Sequence, residues 1–211
     1  MLTTVHRHLQ RGDTLIEVLF AFTILSLVIV GAMSIMNQGT LASQRSLETT
    51  LVREQIDSQA TTLRFLHDAY VAAYQTNGTY DPATPAGQWK AMADSLTATS
   101  ASSFDTGSTT CPSAPAGAFI LNGAQAKYIK GDSVNLKPAS TFAQVTYDAT
   151  TGALIDSEGM WVEGIRSQAT GNANADNARF IDFHIRACWD NPGQGPVMTI
   201  GTIVRLYEPR G

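Results

Sequence analysis

One carboxylate, Glu17, borders an apolar run in which no further charge occurs until Arg45. An unpaired carboxylate inside a membrane costs about 2.5–3.5 kcal/mol, so Glu17 needs a cation or must reach back into the headgroups. A short basic stretch with Arg7 and Arg11 precedes it and ends in Gly12, immediately before Asp13-Thr14-Leu15-Ile16-Glu17-Val18. A secretory signal has the opposite order, with the apolar region first and a small-x-small cleavage site after it.

Other reactive side chains are few. Cys111 and Cys188 fall far beyond the apolar run, and a bridge between them would close a loop of more than seventy residues. In the chain-entropy model such a bridge adds on the order of 4 kcal/mol, and an even count on the exterior side favours it over two free buried thiols. With no histidine pair nearby, the two cysteines do not make a zinc site. His67, on or beside the polar side of a helix, and His184, in a strand, sit in no nucleophile or metal motif and read as structural or solvated. Asp156-Ser157-Glu158 and Asp176 offer carboxylates for calcium, but without an ordered oxygen-ligand spacing they read as turn chemistry. The expected outcome is no catalytic site, no cofactor and no metal, hence no enzyme. Arg11-Gly12-Asp13 spells an adhesion tripeptide in the wrong compartment, and Asn77-Gly78-Thr79 reads as a helix end before it reads as a glycosylation acceptor.

The elements that position Glu17 follow from hydropathy. Residues 13–36 form an apolar helix that spans a ~30 Å hydrocarbon layer at 1.5 Å per residue. Beyond it Val52, Ile56, Leu63, Leu66, Tyr70 and Ala73 recur at helical spacing, while Glu48, Arg53, Glu54, Asp57, Arg64 and Asp68 fall mostly off that stripe. Asn77-Gly78 supplies a helix end and Asp81-Pro82 blocks resumption, so the helix runs from about Thr14 to Thr76, roughly 90 Å. Gly31, with Ser26 and Ser34, is its only local weak point, and any unwinding of the helix is expected there.

Trp89, Met92 and Leu96 predict a short second helix, and Thr97 to Ser113 a surface loop pinned by its cysteine. Strands are expected at Ala118–Leu121, Tyr128–Lys130, Val134–Leu136, Phe142–Tyr147, Ala153–Ile155 and, with a glycine break, Met160–Arg166. The loop Gln168 to Asn177, rich in Asn, Ala and Gly, reads as mobile. In Arg179–Trp189 the residues Ile181, Phe183, Ile185, Ala187 and Trp189 face one way, and Val197–Tyr207 returns beside it. The helical stripe and this sheet need each other to bury their apolar sides. The fold class is α+β, a long N-terminal helix on a small antiparallel sheet.

The 211-residue chain holds one domain plus an anchor, and its net charge of −4 argues against a nucleic-acid surface. The charge becomes more negative without residues 1–12, because Arg7 and Arg11 lie there. The basic start, with no comparable cluster just after Met36, predicts a cytoplasmic N-terminus and an exterior body.

Gly12-Asp13-Thr14-Leu15-Ile16-Glu17-Val18 closely resembles the signature of type IV prepilins and the related pseudopilins. The resemblance implies a leader at 1–12, a filament-core half-helix at 13–36, an amphipathic half at 37–77 and a β-rich extracellular head at 78–211. It implies cleavage between Gly12 and Asp13 by a prepilin peptidase, with Glu17 then neutralising the new α-amine of a neighbouring subunit in the filament. Expected partners are other copies or other pilins, an assembly platform with its ATPase, and the inner membrane before assembly. Asp13 stands where the family usually has Phe or Met, and no proline precedes Pro82. The acidic residue favours a minor or tip-associated subunit over the major one. The readings left open are a pilus subunit, a pseudopilin of a secretion or DNA-uptake machine, and a single-pass anchored binding domain that never polymerises.

Overall fold

The computed structural model describes residues 13–76, 78–98, 100–103, 108–167, 179–192 and 195–209. The first helix, α1, runs Asp13–Gln75 and the second, α2, Pro85–Ser95. Eight strands follow: β1 Phe119–Asn122, β2 Lys127–Lys130, β3 Asn135–Lys137, β4 Gln144–Tyr147, β5 Leu154–Glu158, β6 Met160–Arg166, β7 Phe180–Trp189 and β8 Met198–Tyr207. Two compact units are distinguished, one ending at Gln44 and one beginning at Arg45, and α1 contributes to both.

In the second unit the expected stripe is the buried face of α1: Val52, Ile56, Leu63 and Leu66 are buried and Tyr70 packs beside them. They meet the inner face of a five-stranded antiparallel sheet of order β2-β1-β6-β7-β8, formed by Phe119, Val162, Ile181, Phe183 and Ile185. Period-two burial along β7 produces this face. Trp89 of α2 enters the same core and meets Phe183 edge-on, with ring centroids 5.5 Å apart. Thr84 caps α2 by accepting from Gly87 N, and Pro85 occupies its first turn, where no N–H is needed. The Gly78 amide closes the end of α1 on Ala73 O at 2.8 Å, whereas Asn77 lies outside the described residues.

The structure departs from the sequence expectation in several places. Strands β3, β5 and β4 form a separate three-stranded sheet, in which β3 runs parallel to β5. The predicted pairing of β4 with β5 is present, with Tyr147 opposite Leu154. Asp156, Ser157 and Glu158 belong to β5 and not to a turn, because they pair with β3 on one side and β4 on the other, and Lys137 on β3 ion-pairs with both carboxylates. Strand β6 continues through Gly164 without a break, and the missing side chain there is where Leu96 packs. Gly159 is the pivot between the sheets: its φ is +61°, and a Cβ would stand 2.3 Å from Cys188 O.

Candidate assembly site

Every residue from Thr14 to Thr40 is exposed in the single chain. Glu17 lies one helical turn after Asp13, and among the described residues it makes no ion pair. Leu15, Ile16, Phe20, Phe22, Leu27, Val30, Ile35 and Met36 are each more than 60 % exposed. Covering such a surface is worth tens of kcal/mol at about 1.5–3 kcal/mol per large side chain, more than the net stability of a typical domain. The helix is long and apolar enough to cross a membrane, with a mean hydropathy of 2.5 in its best window.

Two of its polar side chains, those of Thr23 and Ser26, are satisfied on the helix itself. Thr23 Oγ1 donates to Phe20 O and Ser26 Oγ to Phe22 O, each at 2.7 Å, so both hydroxyls are satisfied on their own helix. A Cβ added at Gly31 or Gly39 would touch nothing within 4 Å, so these positions are flat patches open to close approach by another helix. The helix is continuous through Gly31. Glu17 is thus the one ionisable group on the exposed apolar surface from Thr14 to Thr40. Gly12, the other half of the sequence motif, lies outside the described residues, as does the side chain of Asp13.

Several reactive or acidic groups of the second unit are absorbed into structure. Cys111 and Cys188 are joined by a disulfide, with Cα atoms 5.6 Å apart. Glu163, buried on β6, accepts from Ser102 N at 2.8 Å, Ser102 Oγ at 2.7 Å and Trp161 Nε1 at 2.9 Å, and it pairs with Arg186. Burial pushes its carboxyl up, but these donors outweigh burial and hold it below the usual carboxylate range. This carboxylate and the disulfide hold Ser102 and Cys111, respectively, on the outer face of the sheet. The sequence signal for it was the one acid in a strand whose residues from Met160 to Ile165 are otherwise uncharged.

His67 corrects the expectation of a polar-side residue. It is 13 % exposed, its Nε2 lies 2.8 Å from Tyr207 O, and its ring meets Trp89 edge-on. Glu48, placed off the apolar stripe, is buried and accepts a hydrogen bond from Trp189 Nε1 at 3.0 Å. His184 is half-buried on the outer face of β7, where burial and the nearby Arg186 lower its pKa against the opposing pull of Glu163 and Asp182. Asp176 and the loop from Gln168 to Asn177 lie outside the described residues. No group of three or more His, Cys, Asp or Glu side chains is placed to hold a metal among the described residues.

Residues 7–33 match the family model of the prokaryotic N-terminal methylation motif, the type IV prepilin signature. The match spans the apolar start of α1 and includes Gly12 and Glu17, but does not reach the second unit. No curated protein and no solved structure matches the chain. The motif and the long apolar helix fit a membrane-anchored precursor.

Proposed function

We propose that this chain, which begins with the type IV prepilin signature, is a non-catalytic structural subunit of a pilus-like extracellular filament. The observation that carries the reading is the pairing of that signature with a helix whose surface from Thr14 to Thr40 is wholly exposed in the single chain. Lipid covers this surface in the precursor, and the helices of other copies cover it in the filament. Cleavage after Gly12 creates an α-amine at Asp13, and Glu17 of a neighbouring copy receives it. Each group would be costly alone in a dry environment, and together they satisfy one another.

A pseudopilin of a secretion or DNA-uptake machine shares this assembly chemistry. Asp13, with a second carboxylate next to the new amine, favours a minor or tip position in either machine. The reading is tested by N-terminal sequencing of protein sheared from the cell surface. A chain that starts at Asp13 and is lost from the sheared fraction when Glu17 is changed to Ala supports it. A surface protein that retains Met1 overturns it.

A further inference from the structure

Four aromatic rings, those of Tyr70, Tyr74, Tyr80 and Trp89, meet where α1 ends and α2 begins. Tyr70 is the centre of the group: its ring centroid lies 5.1 Å from that of Tyr80, 6.3 Å from Trp89 and 6.4 Å from Tyr74. Trp89 is fully buried and the three tyrosines are half-buried, so the phenols form the solvent side of the cluster. Among the described residues these are the tyrosine rings that touch one another, whereas Tyr128 and Tyr207 meet Phe119 and Phe180. The difference is chemical. Phenols lose one electron readily and phenylalanine rings do not, so only a phenol against a phenol has a coupling partner.

The fold holds both sides of the Tyr70–Tyr80 contact. Tyr70 sits in the last turns of α1, and beyond it Ala73 O accepts from Gly78 N at 2.8 Å, which turns the chain back. Next to Tyr80, the carbonyl of Asp81 accepts from Thr84 N at 2.8 Å and Thr84 Oγ1 at 2.7 Å. The same carbonyl lies so close to α2 that a Cβ at Gly87 would stand 1.9 Å from it. The two rings, tilted by 33°, are therefore neighbours by construction.

We propose that Tyr70 and Tyr80 are an oxidative cross-linking site, whose rings join through the carbons ortho to their hydroxyls when hydrogen peroxide and a haem peroxidase act on the protein. Each phenol gives up one electron and its hydroxyl proton, and one hydrogen peroxide is reduced to two waters. The two phenoxyl radicals form one carbon–carbon bond. The hydrogen displaced at each joined carbon returns to oxygen as the rings regain aromaticity, so the protein loses two hydrogens in all. Radicals held in contact combine ahead of radicals that must meet by diffusion.

A biaryl link brings ring centres slightly closer than they stand in the folded chain. Tyr80 lies in the irregular segment between the helices and makes up the difference through its side-chain torsions. Tyr74 is fixed to the same helix as Tyr70, and drawing those two rings together would distort the helical ladder. The same unit carries the disulfide Cys111–Cys188, a bond that persists in oxidising surroundings, where a peroxide also acts. The link ties the end of α1 to the entry of α2 across the turn at Gly78. It does not rest on the filament reading, because it needs only the folded second unit.

The test is treatment of the full-length protein in detergent micelles with hydrogen peroxide and a haem peroxidase, followed by peptide mapping. Trypsin leaves both tyrosines in one peptide, residues 65–90, in which Asn77-Gly78 is the only Asn-Gly bond. Hydroxylamine cuts that bond. The expected product is a peptide two hydrogens lighter that stays in one piece after hydroxylamine, with a yield at least about tenfold lower in Tyr70→Phe and in Tyr80→Phe and unchanged in Tyr74→Phe. Phenylalanine keeps the ring and its packing, so each variant retains the fold. The linked protein should unfold about 5 °C higher than the untreated one, because the link restricts the unfolded chain. A yield lost in Tyr74→Phe instead, oxidation spread evenly over the tyrosines, or a product made only of joined copies overturns the proposal.

Discussion

Gln59 holds both backbone groups of Leu121: its Nε2 donates to Leu121 O at 2.8 Å, and its Oε1 accepts from Leu121 N at 2.9 Å. Strand β1 touches β6 only at Phe119 opposite Val162, so one residue pair further on its outward groups lack a strand. A carboxamide from α1 takes that place. Gln59 is fully buried, as is Leu121.

Gln59→Leu should destabilise the protein by about 2–6 kcal/mol, since it leaves a buried N–H and C=O unpaired at about 1–3 kcal/mol each. Chemical denaturation measures the loss. A change below about 0.5 kcal/mol would mean that water or a shifted β6 replaces the amide.

Glu17→Gln keeps the shape of the side chain but removes its charge. The variant should insert and be cleaved like the parent yet be depleted from the sheared surface fraction, because a neutral amide gives the new amine no countercharge. Immunoblots of the membrane and sheared fractions separate the two steps, and unchanged surface levels would remove Glu17 from assembly.

Acid should weaken the three-stranded sheet at a definable pH. The hydroxyl and N–H of Ser140, followed by Lys137, hold the Glu158 carboxyl down at about 2 against its ordinary 4.5. A folded-state value below the unfolded one contributes stability that is present above about pH 4.5 and lost as the pH falls towards about 2. Glu158→Gln should flatten that part of the stability curve. Thermal midpoints collected between neutral and strongly acidic pH would show it, and a parent curve that is already flat would contradict the assignment.

Removing the disulfide should lower stability by on the order of 4 kcal/mol, given the sequence separation of 77. Cys188 is fully buried between the sheet and the covering segment, so replacing both cysteines with serine should cost at least as much as reduction. Denaturant midpoints with and without reductant provide the comparison, and Glu163, through Ser102, should keep part of the segment in place.

The sequence was most legible where one period dominates. The stripe from Val52 to Leu66 and the alternation along β7 identify the two faces that make the core, and hydropathy alone delimits the exposed start of α1. Polar side chains of α1 that bond to the sheet were illegible. Gln59, Glu48 and His67 sit beside the apolar stripe in positions where solvent exposure is the ordinary reading, and each turns inward because a specific strand group awaits it. The split into two sheets was also hidden, since it depends on the parallel approach of β3 to β5, a contact between segments with no common period. At the candidate site, Gly12 and Glu17 stand out through their resemblance to a known signature, which the family match over residues 7–33 contains.

The side chains from Leu15 to Met36 meet hydrocarbon and other helices on nearly equal terms, because acyl tails are as apolar as leucine. On the proposed reading, moving a subunit from bilayer to fibre is therefore almost an isoenergetic exchange of solvents. Grease alone cannot tell the two surroundings apart, so the direction of traffic rests on what is not greasy: Glu17, the amine it meets, and the work done by the machinery. A surface that binds both media equally well is one from which a subunit can also be returned.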